Sequence, residues 1–303
     1  MSQLKQDLID LMRIPGLSGH EDRVRRAIAA RLPAGVGHRT DRLGNLIVSF
    51  AGTGPRVMLF AHMDQLGFIV RRIDDDGLIR IERLGGVPER ALAAQSVLLC
   101  VGEGRDVPGV IANKSHHATG PGEKYEVVRA PDLMIDTGFS SKKALEAAGV
   151  RIGTPVVYAP NVIELSEGRI AGSSVDDRAG CAVLLDVARE LAQRESGPPV
   201  DVVFSVQEEF NLRGAQVAAQ ALRPDIAIQI DLMIASDTPD MATRGDMSLG
   251  KGPGMSLYSF HGRGTLNGVI PHPGLVALLE RVAEAEQINL QRSAQVGILT
   301  DLS

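Results

Sequence analysis

The feature of this sequence that most constrains its fold is a set of three apolar runs separated by long helical patterns. The runs are rich in β-branched residues and read RVMLFAH at 56–62, VDVVFSVQ at 200–207 and DIAIQI at 225–230. Helical spacing of apolar residues follows in DDRAGCAVLLDVARELAQR and again in HPGLVALLERVAEAEQ. Strands that alternate with helices form a mostly parallel sheet covered by helices. We therefore expect an α/β fold.

The middle of the sequence has a different pattern. Short apolar stretches alternate with Gly, Pro and Asp turns, as in RRIDDDGLIRIERLGG and DVPGVIAN. This pattern favours a small β-rich, barrel-like domain inserted into the α/β domain. We expect the α/β domain to span 1–69 and 163–303, and the inserted domain to span 70–162.

Composition argues against several classes of partner. The 303 residues include 37 acidic and 32 basic side chains without a Lys/Arg-rich block, so nucleic acid and anionic membranes are poor candidates. No apolar run approaches the ~20 residues of a membrane-spanning helix. Cys100 and Cys181 lie in apolar surroundings without a CxxC partner, which is typical of free thiols. We expect a cytoplasmic protein with no nucleic-acid or membrane partner.

Each of the three apolar runs ends in a potential metal ligand. His62 and Asp64 close the first run, Glu208 and Glu209 follow the second, and Asp231 follows the third. The carboxyl ends of parallel strands meet at one edge of a sheet, where α/β proteins bind their ligands. We therefore expect these side chains to gather at that edge.

A further acidic pair, Asp176 and Asp177, precedes a long helical pattern and can turn a carboxylate toward the same edge. Carboxylates this close raise one another's pKa unless a cation neutralises them. Nitrogen and carboxylate oxygen without Cys suit zinc, manganese or cobalt, and a carboxylate shared by two ions is typical of two-metal hydrolases. Asp176 fits the shared position. Of Glu208 and Glu209, one can bind metal while the other moves a proton.

Each of these residues also has a simpler interpretation. Taken alone, His62 is more often a hydrogen-bonded core histidine than a ligand. On local pattern alone, Glu208–Glu209 is equally compatible with a solvated strand end, Asp176–Asp177 with a helix N-cap, and Asp231 with a loop acid. His116–His117 looks like a metal pair, but it lies in a polar loop, where such pairs are usually only exposed. We assign that pair no role.

Seven motifs occur in a fixed order along nearly the whole sequence: PGLSGHED, DRLGN, AHMDQLGF, IDTG, SVDDRAG, VQEEFNLRGA and GKGPG. With these motifs the sequence resembles the M42 family of metallo-aminopeptidases, which includes tetrahedral, glutamyl and FrvX-like aminopeptidases. The resemblance implies a two-metal site with His62, Asp176, Glu209 and Asp231 as ligands and Asp176 as the bridge. The resemblance also implies two divalent metal ions per chain, with zinc first and cobalt or manganese as alternatives.

The resemblance assigns further roles. Glu208 is the base that activates a metal-bridging water, and Asp64 orients the imidazole of His62. A cis peptide bond is expected between Asp176 and Asp177. The expected activity is a two-metal-dependent aminopeptidase that hydrolyses N-terminal residues from short peptides.

The resemblance finally implies self-association and a longer C-terminus. Family members form tetrahedral dodecamers through the inserted β-rich domain, so we expect a homo-oligomer. They carry a further metal-binding His in a strand and helix beyond a segment resembling VGILTDLS, and no histidine here matches it by motif. We therefore expect the α/β domain to lack that strand and helix. Two alternatives stay open: a metal-dependent deacylase with the same site chemistry, and a catalytically silent assembly protein with an incomplete metal site.

Overall fold

The computed structural model describes residues 2–261 and 268–303. The chain divides into two compact units, Met1–Ile230 and Asp231–Ser303. Within the described residues, no helix is long and apolar enough to cross a membrane. The α-helices of this part of the chain are α1 (Gln3–Met12), α2 (Asp22–Ala29), α3 (Lys142–Ala147), α4 (Val175–Gln193), α5 (Arg213–Leu222) and α6 (Pro273–Ala285).

The strands of the described residues fall into one central sheet, one barrel and two small sheets. In chain order the strands are β1 (His38–Thr40), β2 (Leu46–Phe50), β3 (Val57–His62), β4 (Gly67–Ile73), β5 (Ile79–Leu84), β6 (Ser96–Leu99), β7 (Val107–Ile111), β8 (Met134–Asp136), β9 (Pro155–Tyr158), β10 (Val162–Glu164), β11 (Ile170–Gly172), β12 (Val200–Ser205), β13 (Ile226–Gln229), β14 (Gly254–Phe260), β15 (Gly268–Val269) and β16 (Gln291–Val296).

The first unit is built on a five-stranded sheet in the order β1-β2-β12-β3-β13. The three apolar runs of the sequence are its neighbours β12, β3 and β13, which pair in parallel as expected. The strands β1 and β2 pair antiparallel with each other, and β2 is antiparallel to β12. The link between β1 and β2 is too short for a helical crossover, so these two strands form a hairpin. The α/β fold expected from the sequence is confirmed.

Helices cover both faces of this sheet. On one face, apolar side chains of α1, α2 and α4 pack with Val48 and Phe204. On the other face, Ala215 and Ala218 of α5 pack against Val203. Because successive strand residues point to opposite faces, Val203 and Phe204 enter different clusters. The strand β12 is therefore buried along its whole length, which explains why its sequence is mostly apolar and β-branched.

Six antiparallel strands close into a barrel in the order β4-β5-β8-β7-β6-β9. The barrel is inserted in the chain between β3 and α4, and it has its own apolar core, which includes Ile81 and Leu99. Its first and last strands pair with each other, with Phe68 opposite Val156. The chain therefore enters and leaves the barrel side by side. The ribbon β10–β11 then leads to α4.

The second unit contains a three-stranded sheet in the order β15-β14-β16. The strand β14 pairs antiparallel with β15 and parallel with β16. The helix α6 carries the helical pattern expected from HPGLVALLERVAEAEQ, and the side chain of His272 accepts a hydrogen bond from the amide of Gly274 at its start. Proline at the first helical position adds a fixed backbone angle that suits a helix start.

A core substitution tests the covered sheet. Phe204 is fully buried, so Phe204→Ala removes packing and leaves a cavity that should lower the free energy of unfolding by about 3–5 kcal/mol. We expect a lower melting midpoint by scanning calorimetry. The matched control is Ile270→Ala, since that side chain is 81% exposed and lies outside the barrel, and its midpoint should stay unchanged. Equal midpoints for both variants would contradict the buried position of Phe204.

Candidate metal centre

The candidate site lies at the carboxyl edge of β3 and β12. These strands pair in parallel with Ser205 opposite His62, so the residues that follow each strand leave the sheet side by side. Asp64 lies beyond the end of β3, and Glu208 and Glu209 lie beyond the end of β12. The structure thus brings together residues that are about 145 positions apart in sequence.

The imidazole of His62 is buried with acids at both nitrogens. Its Nε2 lies 3.0 Å from Asp176 Oδ1 and 3.9 Å from Glu208 Oε2. Its Nδ1 lies 3.4 Å from Asp64 Oδ1 and 3.2 Å from the carbonyl oxygen of Asp64. Burial lowers the pKa of His62, but the hydrogen bonds with Asp176 and Asp64 and the charges of Asp64 and Glu208 outweigh it, so the pKa lies well above its ordinary value. Acids that stabilise a proton on this ring also suit a divalent cation in its place.

Asp64 is fully buried and connects three segments. Its Oδ1 accepts from the amide of Glu208 at 3.0 Å, and its Oδ2 accepts from the amide of Glu209 at 3.1 Å and from the Ser18 hydroxyl. Burial raises the pKa of Asp64, but the bond and charge of His62 and the donors Ser18 and Glu208 hold it below its ordinary value. The carboxylate is therefore ionised, and it orients both His62 and the two glutamates.

Asp176 and Asp177 lie at the start of α4 and have separate roles. The peptide bond between them is cis, as expected, and both residues have non-helical backbone angles. Asp177 is buried and its Oδ1 accepts from the amide of Gly180 at 2.9 Å, which caps the first helical turn. The cap therefore belongs to Asp177. The side chain of Asp176 is 58% exposed and faces the site through His62.

Glu208 and Glu209 follow a sharp change in chain direction. Gln207 has a left-handed backbone with φ of 56°, which turns the chain after β12. Glu208 is buried, whereas Glu209 is partly exposed. Asp176 and Glu209 both line a cavity of about 700 Å³ that is also bordered by Gln65. The turn therefore directs the two adjacent acids into different surroundings.

Asp231 follows the third parallel strand. The amide of Ile230 donates to the carbonyl oxygen of Phe60 at 2.8 Å, so the chain after β13 continues beside β3 as far as Ile230. Asp231 is the next residue, and it begins the second unit. Within that unit its Oδ1 accepts from the amide of Leu232 at 2.6 Å.

The donor set fits a divalent metal ion. In the part of the chain that the structure describes, His62 and Asp176 belong to a group of His and Asp side chains whose ligand atoms all lie within 4.8 Å of one another. Imidazole nitrogen and carboxylate oxygen are the donors that zinc, cobalt and manganese accept. Cys181 is close, but its thiol donates to the carbonyl oxygen of His62 and burial raises its pKa. It is therefore a packing residue and not a thiolate ligand.

Two charged residues near the site had no role in the sequence interpretation. Arg178 is fully buried and donates from Nη1 to Leu11 O at 3.2 Å and from Nη2 to Gln65 Oε1 at 3.3 Å. Burial lowers its pKa to about 10, so it remains a cation near Asp64. Glu21 is also buried and accepts from backbone amides. Arg178 lies in the motif SVDDRAG, and Glu21 lies in PGLSGHED. Membership of these motifs was the sequence signal that could have identified them.

Known proteins are similar to this chain over most of its length. The family model for M42 glutamyl aminopeptidases matches residues 44–303. The chain belongs to the M42 glutamyl aminopeptidase family. It is 35% identical over 288 residues to the lysyl aminopeptidase of Pyrococcus furiosus, covering 93% of this chain and 78% of that protein. The family resemblance read from the sequence motifs is confirmed.

Solved structures share the fold of this M42 aminopeptidase. The aminopeptidase APDkam598 from the archaeon Desulfurococcus kamchatkensis superimposes with a TM-score of 0.90 at 33% identity, covering 99% of this chain and 81% of that chain. The TET1 peptidase of Pyrococcus horikoshii, which can assemble into a tetrahedron or a large octahedral shell, gives a TM-score of 0.84 at 30% identity, covering 98% and 86%. This M42 chain is a metal-dependent aminopeptidase, a hydrolase that acts on peptide bonds.

The position of Asp64 gives a direct test of the site. Asp64→Asn keeps the size of the side chain but removes the charge beside His62, and its amide group meets a backbone N–H that needs an acceptor. We expect metal affinity to fall by about 10- to 100-fold. Titration of the metal-free protein with cobalt(II), followed by visible absorption, measures this change. The control Asp186→Asn alters an exposed acid on α4 and should bind cobalt(II) as the unmodified protein does. Unchanged affinity in Asp64→Asn would contradict the positioning role.

Proposed function

We propose that this M42 aminopeptidase uses two divalent metal ions to remove N-terminal residues from short peptides, with Glu208 as the general base. The arrangement around His62 carries this proposal, since its Nε2 lies 3.0 Å from Asp176 Oδ1 and 3.9 Å from Glu208 Oε2. Glu208 is buried and its backbone amide is held by Asp64. These contacts favour a carboxylate with a defined direction, which proton transfer requires.

The proposed metal ligands are His62, Asp176, Glu209 and Asp231, with Asp176 shared between the two ions. Neither oxygen of the exposed Asp176 carboxylate is used to cap α4, because Asp177 caps this helix. Glu209 is supported by the cavity that it lines together with Asp176. Asp231 is supported by its position directly after Ile230 at the carboxyl end of β13. Zinc is the first candidate for this donor set, and cobalt or manganese are alternatives.

The proposed reaction is hydrolysis of the first peptide bond. Divalent ions bound at this site would polarise the scissile carbonyl and lower the pKa of a water molecule to ~7. Glu208 takes a proton from the attacking water as its oxygen bonds to the carbonyl carbon. Glu208 then gives this proton to the leaving nitrogen as the carbon–nitrogen bond breaks. Asp64 keeps His62 and Glu208 in place during both steps and does not touch the substrate.

The cavity supports a small substrate with a free amine. Its volume of about 700 Å³ suits a side chain and a few backbone atoms. Apart from Asp176 and Glu209, the side chains that line it are uncharged, for example Leu66, Tyr158 and Asn161. The acids are therefore the groups on this wall that attract a positive N-terminal amine.

We propose a reducing compartment, the cytoplasm, for this enzyme. Both cysteines are free thiols, and Cys181 is buried beside the site. Burial raises the pKa of the Cys100 thiol to about 12, so the thiol stays protonated and unreactive. Free cysteines are the usual state in such a compartment.

Glu208→Gln tests the general base. The variant keeps the size and the backbone contacts of Glu208 but cannot accept a proton, so we expect kcat to fall by roughly 10² to 10⁴-fold. Hydrolysis of a panel of L-amino acid p-nitroanilides measures kcat, and elemental analysis measures metal content, which should stay unchanged.

Two controls accompany this test. Glu195→Gln alters an exposed glutamate and should keep full activity. N-acetylated p-nitroanilides should resist cleavage by the unmodified enzyme, because they lack the free amine; their efficient hydrolysis would instead indicate a deacylase or another amidase. Full activity in Glu208→Gln would overturn the assignment of the base.

We also propose that the chain self-associates through the inserted barrel into a tetrahedral dodecamer. The related TET1 peptidase can assemble into a tetrahedron or a large octahedral shell. The segment that contains the barrel carries exposed apolar side chains, including Tyr125, Val128 and Ile152, which suit an interface. Size-exclusion chromatography with light scattering should give a mass many times the 32.3 kDa of one chain. A monomer at all protein concentrations would contradict this proposal.

A further inference from the structure

The turn that carries Glu208 and Glu209 is held by side chains from three other parts of the chain. Four consecutive backbone amides after β12 each donate to a distant side-chain oxygen. The pairs are Val206 N to Asn45 Oδ1 at 3.0 Å, Gln207 N to Glu21 Oε1 at 3.1 Å, Glu208 N to Asp64 Oδ1 at 3.0 Å and Glu209 N to Asp64 Oδ2 at 3.1 Å. The conformation of this turn is therefore held by tertiary contacts.

Gln207 is the residue in this turn that most needs support. Its φ of 56° lies in the left-handed region, which is unfavourable for a residue with a Cβ. Its amide donates to Glu21, and its carbonyl oxygen accepts from the amide of Arg213 at 3.2 Å. Close packing follows at Gly214, where a Cβ would meet the carbonyl oxygen of Val206 at 2.2 Å. The backbone around Gln207 is therefore enclosed on several sides.

Glu21 joins this turn to the segment before α2. The same oxygen, Oε1, accepts from the amide of Gly19 at 2.7 Å and from the amide of Gln207 at 3.1 Å. The side chain is only 4% exposed, so water does not readily replace either bond. Burial and the charge of Asp64 raise the pKa of Glu21 to about 7. The two amide bonds depend on the position of one oxygen and not on a full negative charge.

We propose that Glu21 is a positioning residue for the catalytic base: its Oε1 fixes Gln207 in the left-handed conformation and so sets the direction of the Glu208 side chain. This proposal rests on the proposed role of Glu208 in catalysis. Glu21 acts through the backbone and contacts neither substrate nor metal in this assignment. Its loss should therefore affect turnover more than substrate binding.

Two conservative variants separate position from charge. Glu21→Gln keeps an oxygen at the position of Oε1 but removes the charge, whereas Glu21→Asp keeps the charge but withdraws the oxygen by one methylene group. We expect Glu21→Asp to lower kcat by about 10- to 100-fold with an unchanged KM for a p-nitroanilide substrate. Glu21→Gln should keep kcat close to that of the unmodified enzyme. The control Asp22→Asn alters the exposed neighbouring acid and should have no effect.

Hydrogen–deuterium exchange gives a readout that does not depend on activity. In the metal-free protein, Glu21→Asp should speed exchange of the amides at 206–209, while Glu21→Gln and Asp22→Asn should leave it unchanged. Exchange in the barrel serves as the internal reference for folding. If the unmodified protein hydrolyses no substrate, the proposed function fails, and the exchange data still decide whether Glu21 holds the turn.

Several outcomes would overturn the proposal. Normal turnover in Glu21→Asp together with faster exchange would mean that the turn can loosen without affecting the base. Low turnover in Glu21→Gln, with or without loss in Glu21→Asp, would assign the effect to charge and not to position. Unchanged exchange in Glu21→Asp would mean that Glu21 does not hold the turn.

Discussion

The buried carboxylate of Asp64 binds three segments of the chain at one point, and the geometry of the site depends on it. It meets His62 at the end of β3, the amides of Glu208 and Glu209 after β12, and the hydroxyl of Ser18 before α2. A buried carboxylate is stable only when donors surround it, and here each oxygen has at least one. The bonds that stabilise the charge are thus the same bonds that orient the site.

A buried cation complements this arrangement. Arg178 is fully buried one residue after the cap of α4, and its guanidinium binds Leu11 O and Gln65 Oε1. Its charge lies near Asp64 and Glu21, two buried acids that would otherwise repel each other. Removing the Arg178 cation would leave the charge of Asp64 uncompensated in a low-dielectric interior, which is costly. The acids of the site are therefore embedded in a wider network and do not stand alone.

The sheet and the barrel contribute different parts of the same unit. The sheet brings the acids together through strand register, with Ser205 opposite His62. The barrel begins at β4, a few residues after His62, and it supplies Ser96 and Tyr158 to the cavity beside Asp176. Each part has its own apolar core, so each can hold its side chains in place by packing. In α/β enzymes, residues at the strand ends commonly carry the chemistry, and loops or inserted segments form a wall of the binding site.

Local sequence patterns determined much of this picture. Apolar runs rich in β-branched residues predicted the three parallel strands, because both of their faces must be covered, and the acids after the first two runs predicted the edge at which they meet. The motif order predicted the family. The roles of adjacent acids were harder to predict. The sequence did not decide whether Asp176 or Asp177 caps α4, and only the hydrogen bond from the amide of Gly180 assigned the cap to Asp177.

Apart from Asp64, the sequence did not predict the residues that support the site. The left-handed Gln207, the acceptor Glu21 and the buried Arg178 have no local periodicity that marks them. Their roles arise from contacts across more than a hundred residues, between Glu21 and Gln207 and between Leu11 and Arg178. Local patterns report which face of an element is apolar, whereas the partner of a buried polar group is decided only when distant elements pack together. The sequence by itself therefore determined the strands and named the candidate site residues, and the tertiary structure decided how these residues are held.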